Sequence, residues 1–147
     1  MAQTVDEALK AAQLYTDNQS YRLLKLPARA VTAAAGVLAE IGAPFTALIV
    51  DKDEVTLVLY ADAVSDFTRR LQGHTASEAT YRLITFDVAL EPTLTGFMAR
   101  VSAALAGAGI PIVTFGAFSR DHLLVPADRF DQAWSVLSKL TGSETSG

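Results

Sequence analysis

Residues 21–26 read YRLLKL, and residues 81–86 repeat them as YRLITF. The stretches that follow also correspond, because LAEIGAP at residues 38–44 is matched by LAGAGIP at residues 105–111. Matched blocks that keep their order indicate a duplicated supersecondary unit and not a chance similarity. Each copy is small and rich in apolar residues, so we expect it to be completed by its twin or by a second chain.

The composition of the 147-residue chain is that of a globular protein, with 50% hydrophobic residues and no cysteine. The absence of cysteine excludes disulfides and thiolate metal sites. The net charge of -4 is spread over both halves, so no basic patch for nucleic acid is predicted. The apolar stretches are too short to span a membrane and no signal pattern is present. We therefore expect a cytoplasmic protein that binds neither nucleic acid nor membranes.

The hydrophobic periodicity of each copy predicts the order strand, helix, strand, strand, helix. In the first copy the predicted strands are residues 21–26, 45–50 and 55–60, and the predicted helices are residues 30–41 and 62–71. In the second copy a strand over residues 84–90 precedes a helix over residues 97–108, a hairpin of residues 110–118 and 122–125, and a last helix after Pro126. This order predicts an α+β fold of two ferredoxin-like βαββα units, with antiparallel sheets and the helices of each unit on one face.

A short N-terminal helix is predicted to precede the first copy. Thr4 and Glu7 have the spacing of a capping box, and apolar residues recur at helical spacing from Val5 to Tyr15. The expected domains are the N-terminal helix (residues 1–18), the first unit (19–74), the second unit (81–141) and a flexible tail (142–147).

The hairpin of the first copy is apolar at nearly every position of residues 45–50 and 55–60. Strands that do not alternate between apolar and polar residues are buried on both faces. We therefore expect the helices to cover one face of the sheet and a second sheet or another protomer to cover the other. A homodimer is the predicted assembly.

The second copy resembles the ACT domain, a small ferredoxin-like module. The residues that carry the resemblance are GFMARV at 96–101, LAGAGIPI at 105–112 and DHLLVP at 121–126, the last being similar to the closing strand of the arginine-sensor-like branch. The resemblance extends over residues 21–140, and the first copy has no glycine corresponding to Gly96. It implies a tandem ACT-type regulatory protein without catalytic activity. It also implies that a small ligand, most often an amino acid, binds in the turn between first strand and first helix at an interface between modules.

The residues of that turn agree with an anion site. Residues 91–96 lead into a helix N-terminus, where backbone amides and the helix dipole favour a carboxylate. An alternative is that Thr93 or Thr95 only caps the helix and Gly96 only fits a turn. The predicted ligand-binding residues are Thr93, Leu94, Thr95, Gly96, Phe97, Ile112, Val113, Thr114 and Phe115. If the site is not there, Arg29 in the corresponding turn of the first copy is the next candidate.

No catalytic residue, metal site or cofactor is predicted. Ser119, Asp121 and His122 are the residue types of a hydrolytic triad, but they crowd one hairpin turn. Two histidines without paired-ligand spacing do not indicate a metal site. Two functions remain: a small-molecule sensor, or an assembly module that binds no ligand. A sensor requires an open helix N-terminus near residues 91–97, whereas an assembly module can fill it with side chains.

Overall fold

The structure, a computed structural model, describes residues 2–143 and consists of two compact units. The first-copy unit is residues 19–81. The second-copy unit combines the N-terminal residues up to Asn18 with the residues from Arg82 onward. Both units are α+β with helices packed on an antiparallel sheet, so the predicted fold of two βαββα units is confirmed.

The elements lie in the order α1 (Val5–Ala11), β1 (Gln13–Tyr15), β2 (Tyr21–Pro27), α2 (Val31–Ile41), β3 (Ala47–Val50), β4 (Glu54–Tyr60), α3 (Ala61–Phe67), β5 (Thr75–Ala76), β6 (Tyr81–Asp87), α4 (Phe97–Gly107), β7 (Val113–Gly116), β8 (Asp121–Pro126) and α5 (Phe130–Leu140). Short 3-10 helices at Ala28–Ala30 and Ala127–Arg129 lead into α2 and α5. No helix within residues 2–143 is long and apolar enough to cross a membrane.

In the first-copy unit the strands lie in the order β3, β4, β2, and β5 pairs with β2. The pairing of β2 with β4 is antiparallel and extends from Tyr21 opposite Tyr60 to Pro27 opposite Glu54. The helices α2 and α3 bury one face of this sheet, with Ala34, Val37 and Val64 on the helix side. Gly42 ends α2 in the left-handed conformation that the sequence predicts.

The prediction that both faces of this hairpin are covered holds for β4 only. Val55, Leu57, Val58 and Leu59 of β4 are fully buried, so both faces of this central strand are covered. The end of β3 differs, because Ile49 and Val50 are 46% and 52% exposed. These two residues lie in an edge strand whose neighbour in the sheet is β4.

In the second-copy unit β8 lies between β6 and β7, and β1 pairs antiparallel with β6. One face of the sheet packs against α4, α5 and α1. The buried residues of this core are Ala8, Leu9, Ile84, Phe86, Phe97, Val101, Leu105, Ile110, Leu123, Val125, Ala133 and Leu137. Edge-to-face packing of Phe86 and Phe97 joins β6 directly to the start of α4.

The N-terminal helix is shorter than the predicted residues 1–18. The Thr4 hydroxyl accepts from the Glu7 amide as predicted, but α1 ends at Ala11 and is followed by β1. Leu14 pairs with Phe86 in the sheet. The backbone N–H and C=O groups of this segment are therefore satisfied by strand pairing instead of by a longer helix. Tyr15, predicted on the buried helical stripe, is therefore a strand residue that is 45% exposed.

Three other elements are also shorter than predicted. The helix predicted over residues 62–71 ends at Phe67, where the Arg70 amide donates to the Phe67 carbonyl in a tighter turn. The strands predicted over residues 45–50 and 110–118 begin only at Ala47 and Val113. Pro111 lies inside the second of these predicted strands and has no N–H for a strand ladder.

The first residues of the tail expected to be flexible, 142–147, contact the N-terminal segment. The Gly142 amide donates to the Leu9 carbonyl at 3.2 Å, and the Leu14 amide donates to the Ser143 hydroxyl at 2.6 Å. A β-carbon on Gly142 would lie 2.2 Å from the Lys10 carbonyl oxygen, so this close approach requires glycine. The remainder of that tail lies outside the described residues.

Candidate functional site

The connection between β6 and α4 in the second-copy unit is a folded loop over residues 88–96. The Leu94 amide donates to the Glu91 carbonyl at 2.9 Å, and the Leu90 amide donates to the Ser119 carbonyl at 2.8 Å. The second bond ties the loop to the tip of the β7–β8 hairpin. The loop ends at Gly96, which lies at φ 97°, a left-handed conformation that glycine adopts without a steric penalty.

Helix α4 begins without a side-chain cap among the described residues. The first helical hydrogen bond runs from the Arg100 amide to the Gly96 carbonyl. Neither threonine of the loop caps the helix, and the Thr95 hydroxyl instead lies 3.4 Å from the Thr93 carbonyl. The amides of the first turn of α4 therefore have no side-chain acceptor of the N-cap type, which is the arrangement that favours an anion.

A cavity of about 480 Å³ lies between this loop and the hairpin tip. Its lining includes Leu94, Thr95, Gly96 and Phe97 at the start of α4, together with Ser119, Arg120 and Asp121 of the hairpin. We call it the loop cavity. Its size is within the range of small-molecule sites, and its charged groups are the guanidinium of Arg120 and the carboxylates of Glu91 and Asp121.

Of the charged groups beside the loop cavity, Asp121 and His122 are partly buried, whereas Arg120 and Asp87 are exposed. Arg120 forms an ion pair with Asp87, with 3.2 Å between Nη1 and Oδ1. Burial raises the pKa of Asp121 above its usual value of 3.8, and the neighbouring His122 opposes this shift. Burial lowers the pKa of His122 below 6.5, opposed by Asp121 and reinforced by Arg120. A charge that enters the cavity would therefore change the pKa values of Asp121 and His122.

The N-terminal segment covers the outer side of the loop. The Gln3 side-chain amide donates to the Ala89 carbonyl at 3.1 Å and accepts from the Glu91 amide at 3.0 Å, so it bridges two backbone groups of the loop. The Gln3 backbone amide also donates to the Glu91 carboxylate. Asp6 pairs with Arg100 of α4 at 3.1 Å. Hydrogen bonds from outside the second copy thus hold the conformation of the loop.

Part of the predicted ligand set lies at the loop cavity. Leu94, Thr95, Gly96 and Phe97 line it, and Thr93 is exposed in the same loop. The lining does not include Ile112, Val113, Thr114 or Phe115. Ile112 packs on the core of the unit, and residues 113–115 pair with Leu124, Leu123 and His122 in the hairpin.

Sequence reasoning did not identify Ser119, Arg120 and Asp121 as neighbours of the helix start. The polar turn between the two predicted hairpin strands could have indicated their position. Such a turn places its residues at the end of the sheet where β6 also ends. His122 lies outside this set, with its Nδ1 2.8 Å from the Thr85 hydroxyl. Residues 2–143 contain no group of three His, Asp or Glu side chains arranged to hold a metal ion.

The alternative turn of the first copy has a different structure. Residues Ala28–Ala30 form a 3-10 helix that leads directly from β2 into α2. Arg29 is exposed in this turn, and the residue before α2 is Ala30. The corresponding connection in the first-copy unit is therefore a single tight turn.

Comparisons with known structures identify the fold. A protein from Agrobacterium tumefaciens is 24% identical over 90% of both chains, with a TM-score of 0.69. A protein of unknown function from Vibrio cholerae, described as a possible transport protein, is 22% identical over 92% of this chain and 94% of its own, with a TM-score of 0.71. The regulatory subunit of aspartate kinase from Thermus thermophilus is 16% identical over 90% and 98% of the two chains, with a TM-score of 0.66. At these identities the likeness shows the fold alone.

No curated protein sequence matches the chain significantly. Residues 76–139 match the family model of the ACT domain. This range contains the loop over residues 88–96 and both strands of the β7–β8 hairpin, so the match includes the whole lining of the loop cavity. The second copy is thus the part of the chain that the family model matches. The structural neighbours have a fold that is consistent with this match. The sequence match to the ACT domain therefore applies to the second copy, over residues 76–139.

Proposed function

We propose that this protein is a non-catalytic regulatory protein that binds an amino acid in the loop cavity. The ACT-domain match supports a regulatory ligand-binding role. Structural neighbours that are regulatory subunits or domains of aspartate kinase support the same class of function. The charges around the cavity support this binding site and this class of ligand.

The observation that carries the proposal is the uncapped start of α4 beside the loop cavity. The ligand carboxylate lies on the amides of residues 95–97, where the helix dipole and Arg120 both favour negative charge. The ligand ammonium pairs with Asp121 on the hairpin side. A cavity with a helix start and Arg120 on one side and carboxylates on the other matches a zwitterion better than a simple anion or cation.

A thermal-shift screen of the amino acids tests this function. A ligand present at a hundredfold its dissociation constant should stabilise the protein by about 2.7 kcal/mol. The matched controls are the amide and the N-acetyl derivative of each amino acid that binds, since each removes one of the two charges. Both derivatives should bind less tightly than the parent. If no amino acid stabilises the protein, the proposal is wrong.

Two variants locate the site by calorimetric titration. Gly96→Val places a branched side chain at φ 97° and should abolish binding, because valine disfavours that conformation and crowds the start of the helix. Val101→Ala in the same helix should cost stability through the buried core and leave affinity unchanged. Unchanged affinity in the Gly96 variant would move the site, with the turn at Arg29 as the next position to test.

The second candidate function is a ligand-free assembly module, and exposed apolar residues favour it. Ile49 and Val50 are about half exposed in the edge strand β3, and Phe118 at the tip of the β7–β8 hairpin is 97% exposed. Unpaired edge strands and exposed aromatic side chains favour association. We propose a homodimer on this basis. Light scattering should give twice the chain mass, and a monomer mass at micromolar concentration would contradict the dimer.

A further inference from the structure

A second cavity lies at the other end of β6, within the second-copy unit. It has a volume of about 480 Å³, and its lining includes Arg82, Phe130, Trp134 and Ser135, with Thr16 and Asn18 of the N-terminal segment. We call it the arginine cavity. Arg82 is near the start of β6, whereas the loop cavity follows its end, so the two cavities share no lining residue.

The guanidinium of Arg82 is held in place but is incompletely hydrogen-bonded. Its Cζ lies 4.1 Å from the centroid of the Phe130 ring, a cation–π distance. Its Nη2 donates to the Asp17 carbonyl at 2.8 Å. Its Nε is buried and has no acceptor among the described residues. A buried donor without a partner costs free energy, so this arrangement requires an explanation.

The internal repeat provides the comparison. Arg22 is at the corresponding position of the first copy, and both its Nε and its Nη2 donate to the Ser77 carbonyl, at 2.8 and 2.6 Å. In Arg82 only Nη2 donates to a backbone carbonyl of the described residues, and Nε does not share that acceptor. The two arginines occupy equivalent positions in matching strands, so the difference comes from their surroundings and not from the sequence motif.

Arg82 also lacks a counter-charge. Within residues 2–143 no carboxylate lies within ion-pairing distance of its guanidinium. Asp131, an acidic residue of the lining, is exposed. A partly buried cation without an anion is unfavourable, and a negatively charged ligand in the cavity would supply the missing charge.

The remaining wall of the arginine cavity is aromatic. The rings of Phe130 and Trp134 lie 5.6 Å apart at 37°, on consecutive turns of α5. Two aromatic rings and one guanidinium provide stacking surface together with planar N–H donors. This combination is complementary to a flat ring that carries a carboxylate.

We propose that the arginine cavity binds a small aromatic carboxylate, whose carboxylate pairs with Arg82 and whose ring packs against Trp134. This site is separate from the amino-acid site proposed for the loop cavity. Its occupancy can be measured independently, because Trp134 is the chain's single tryptophan and lines only this one of the two cavities.

The test is a titration of the full chain with benzoate, phenylacetate and 3-phenylpropanoate, in which Trp134 fluorescence is measured as the binding signal. The neutral amides of the same three acids are the matched ligands. We expect a saturable change with at least one carboxylate and at least about tenfold weaker binding of its amide, because a hydrogen bond to a charged group contributes more than one between neutral groups. The absence of a saturable response to all three acids, or equal binding of the amides, overturns the proposal.

Three variants assign the effect to Arg82. Arg82→Gln removes the charge and should weaken binding at least about tenfold. Arg82→Lys keeps the charge but loses the planar fork, so its affinity should be intermediate. The control is Arg100→Gln, which removes an arginine paired with Asp6 elsewhere in the same unit and should not change the affinity. Equal affinity in Arg82→Gln and the natural chain contradicts the site, and the carboxylate–amide comparison decides the question if that variant does not fold.

Discussion

The two copies differ most in how the first strand of each unit connects to the first helix. In the first copy β2 ends at Pro27, and one 3-10 turn leads into α2 at Val31. In the second copy β6 ends at Asp87, and residues 88–96 intervene before α4. The longer connection ends in a left-handed glycine and borders a cavity. A repeated unit can therefore gain a candidate binding site by changing one loop while its strands and helices are retained.

The largest expected effect is the loss of stability when a leucine is replaced by alanine in the core of each unit. Leu105 in α4 is fully buried, whereas its counterpart Leu38 in α2 is only partly buried. Leu105→Ala should lower the free energy of unfolding by about 2–5 kcal/mol, and Leu38→Ala by less, because the cost grows with the buried apolar surface that is removed and with the volume left empty. Urea denaturation measures both values. Equal losses of stability would mean that the two helices contribute equally to their units.

The next effect tests the residue before each helix. Gly96→Ala should cost about 1–2 kcal/mol, because alanine disfavours φ 97° although its β-carbon would meet Val5 only at an ordinary 3.7 Å. The matched change in the first copy, Ala30→Gly, should cost less than about 1 kcal/mol, since Ala30 already has a negative φ. Thermal unfolding of the two variants compares them. A larger loss of stability in Ala30→Gly would contradict the assigned backbone conformations.

A smaller effect tests how the long connection is held. Gln3→Ala removes the side chain that bridges Ala89 and Glu91, and it should cost about 1 kcal/mol because the bonds are solvent-exposed. Hydrogen exchange of the Glu91 amide should become faster. Gln13→Ala is the control, because Gln13 is an exposed glutamine without a side-chain hydrogen bond among the described residues. If exchange at Glu91 is unchanged, the bridge does not hold the loop.

The smallest effect is the pH dependence from His122. Burial lowers its pKa below 6.5, so the unfolded chain binds more protons than the folded one just below that pH. This contribution to stability is complete above pH 6.5 and is lost as the pH falls toward the lowered pKa. His122→Gln should flatten the slope of stability against pH in this window. The first copy has Thr56 at the corresponding position, so it has no titrating group there. An unchanged slope in the variant would assign the titration elsewhere.

The sequence predicts the fold because the duplication and the hydrophobic periodicity act at the scale of whole elements. YRLLKL begins β2 and Gly42 ends α2, as the local patterns predict. The strand predicted over residues 84–90 is instead β6, which begins with YRLITF at Tyr81 and ends at Asp87. The N-terminal helix was predicted too long because Leu14 pairs with Phe86, a distant partner that local periodicity does not reveal. Pairing over such a separation overrides helical propensity.

The candidate site was only partly predictable for a similar reason. Residues 94–97 follow from a glycine placed before a helical stripe, which is a local signal. Arg120 and Asp121 approach these residues only because the β7–β8 hairpin and the end of β6 meet at one end of the sheet. The predicted contribution of residues 112–115 assumed an interface between modules, and these residues do not line the loop cavity.

The discontinuity of the second-copy unit affects the order in which the chain can fold. Its N-terminal segment leaves the ribosome first, but its partners follow much later, since Leu14 pairs with Phe86 and the Leu9 carbonyl accepts from Gly142. The first-copy unit is continuous from Gln19 to Tyr81, so its strands and helices can pack together as soon as that stretch is made. During synthesis, α1 and β1 are therefore made before their partners in the second-copy unit, and the intervening unit can form in the meantime. Closing the second-copy unit over this separation carries the larger loop-closure entropy, so we expect it to be the slower of the two to complete.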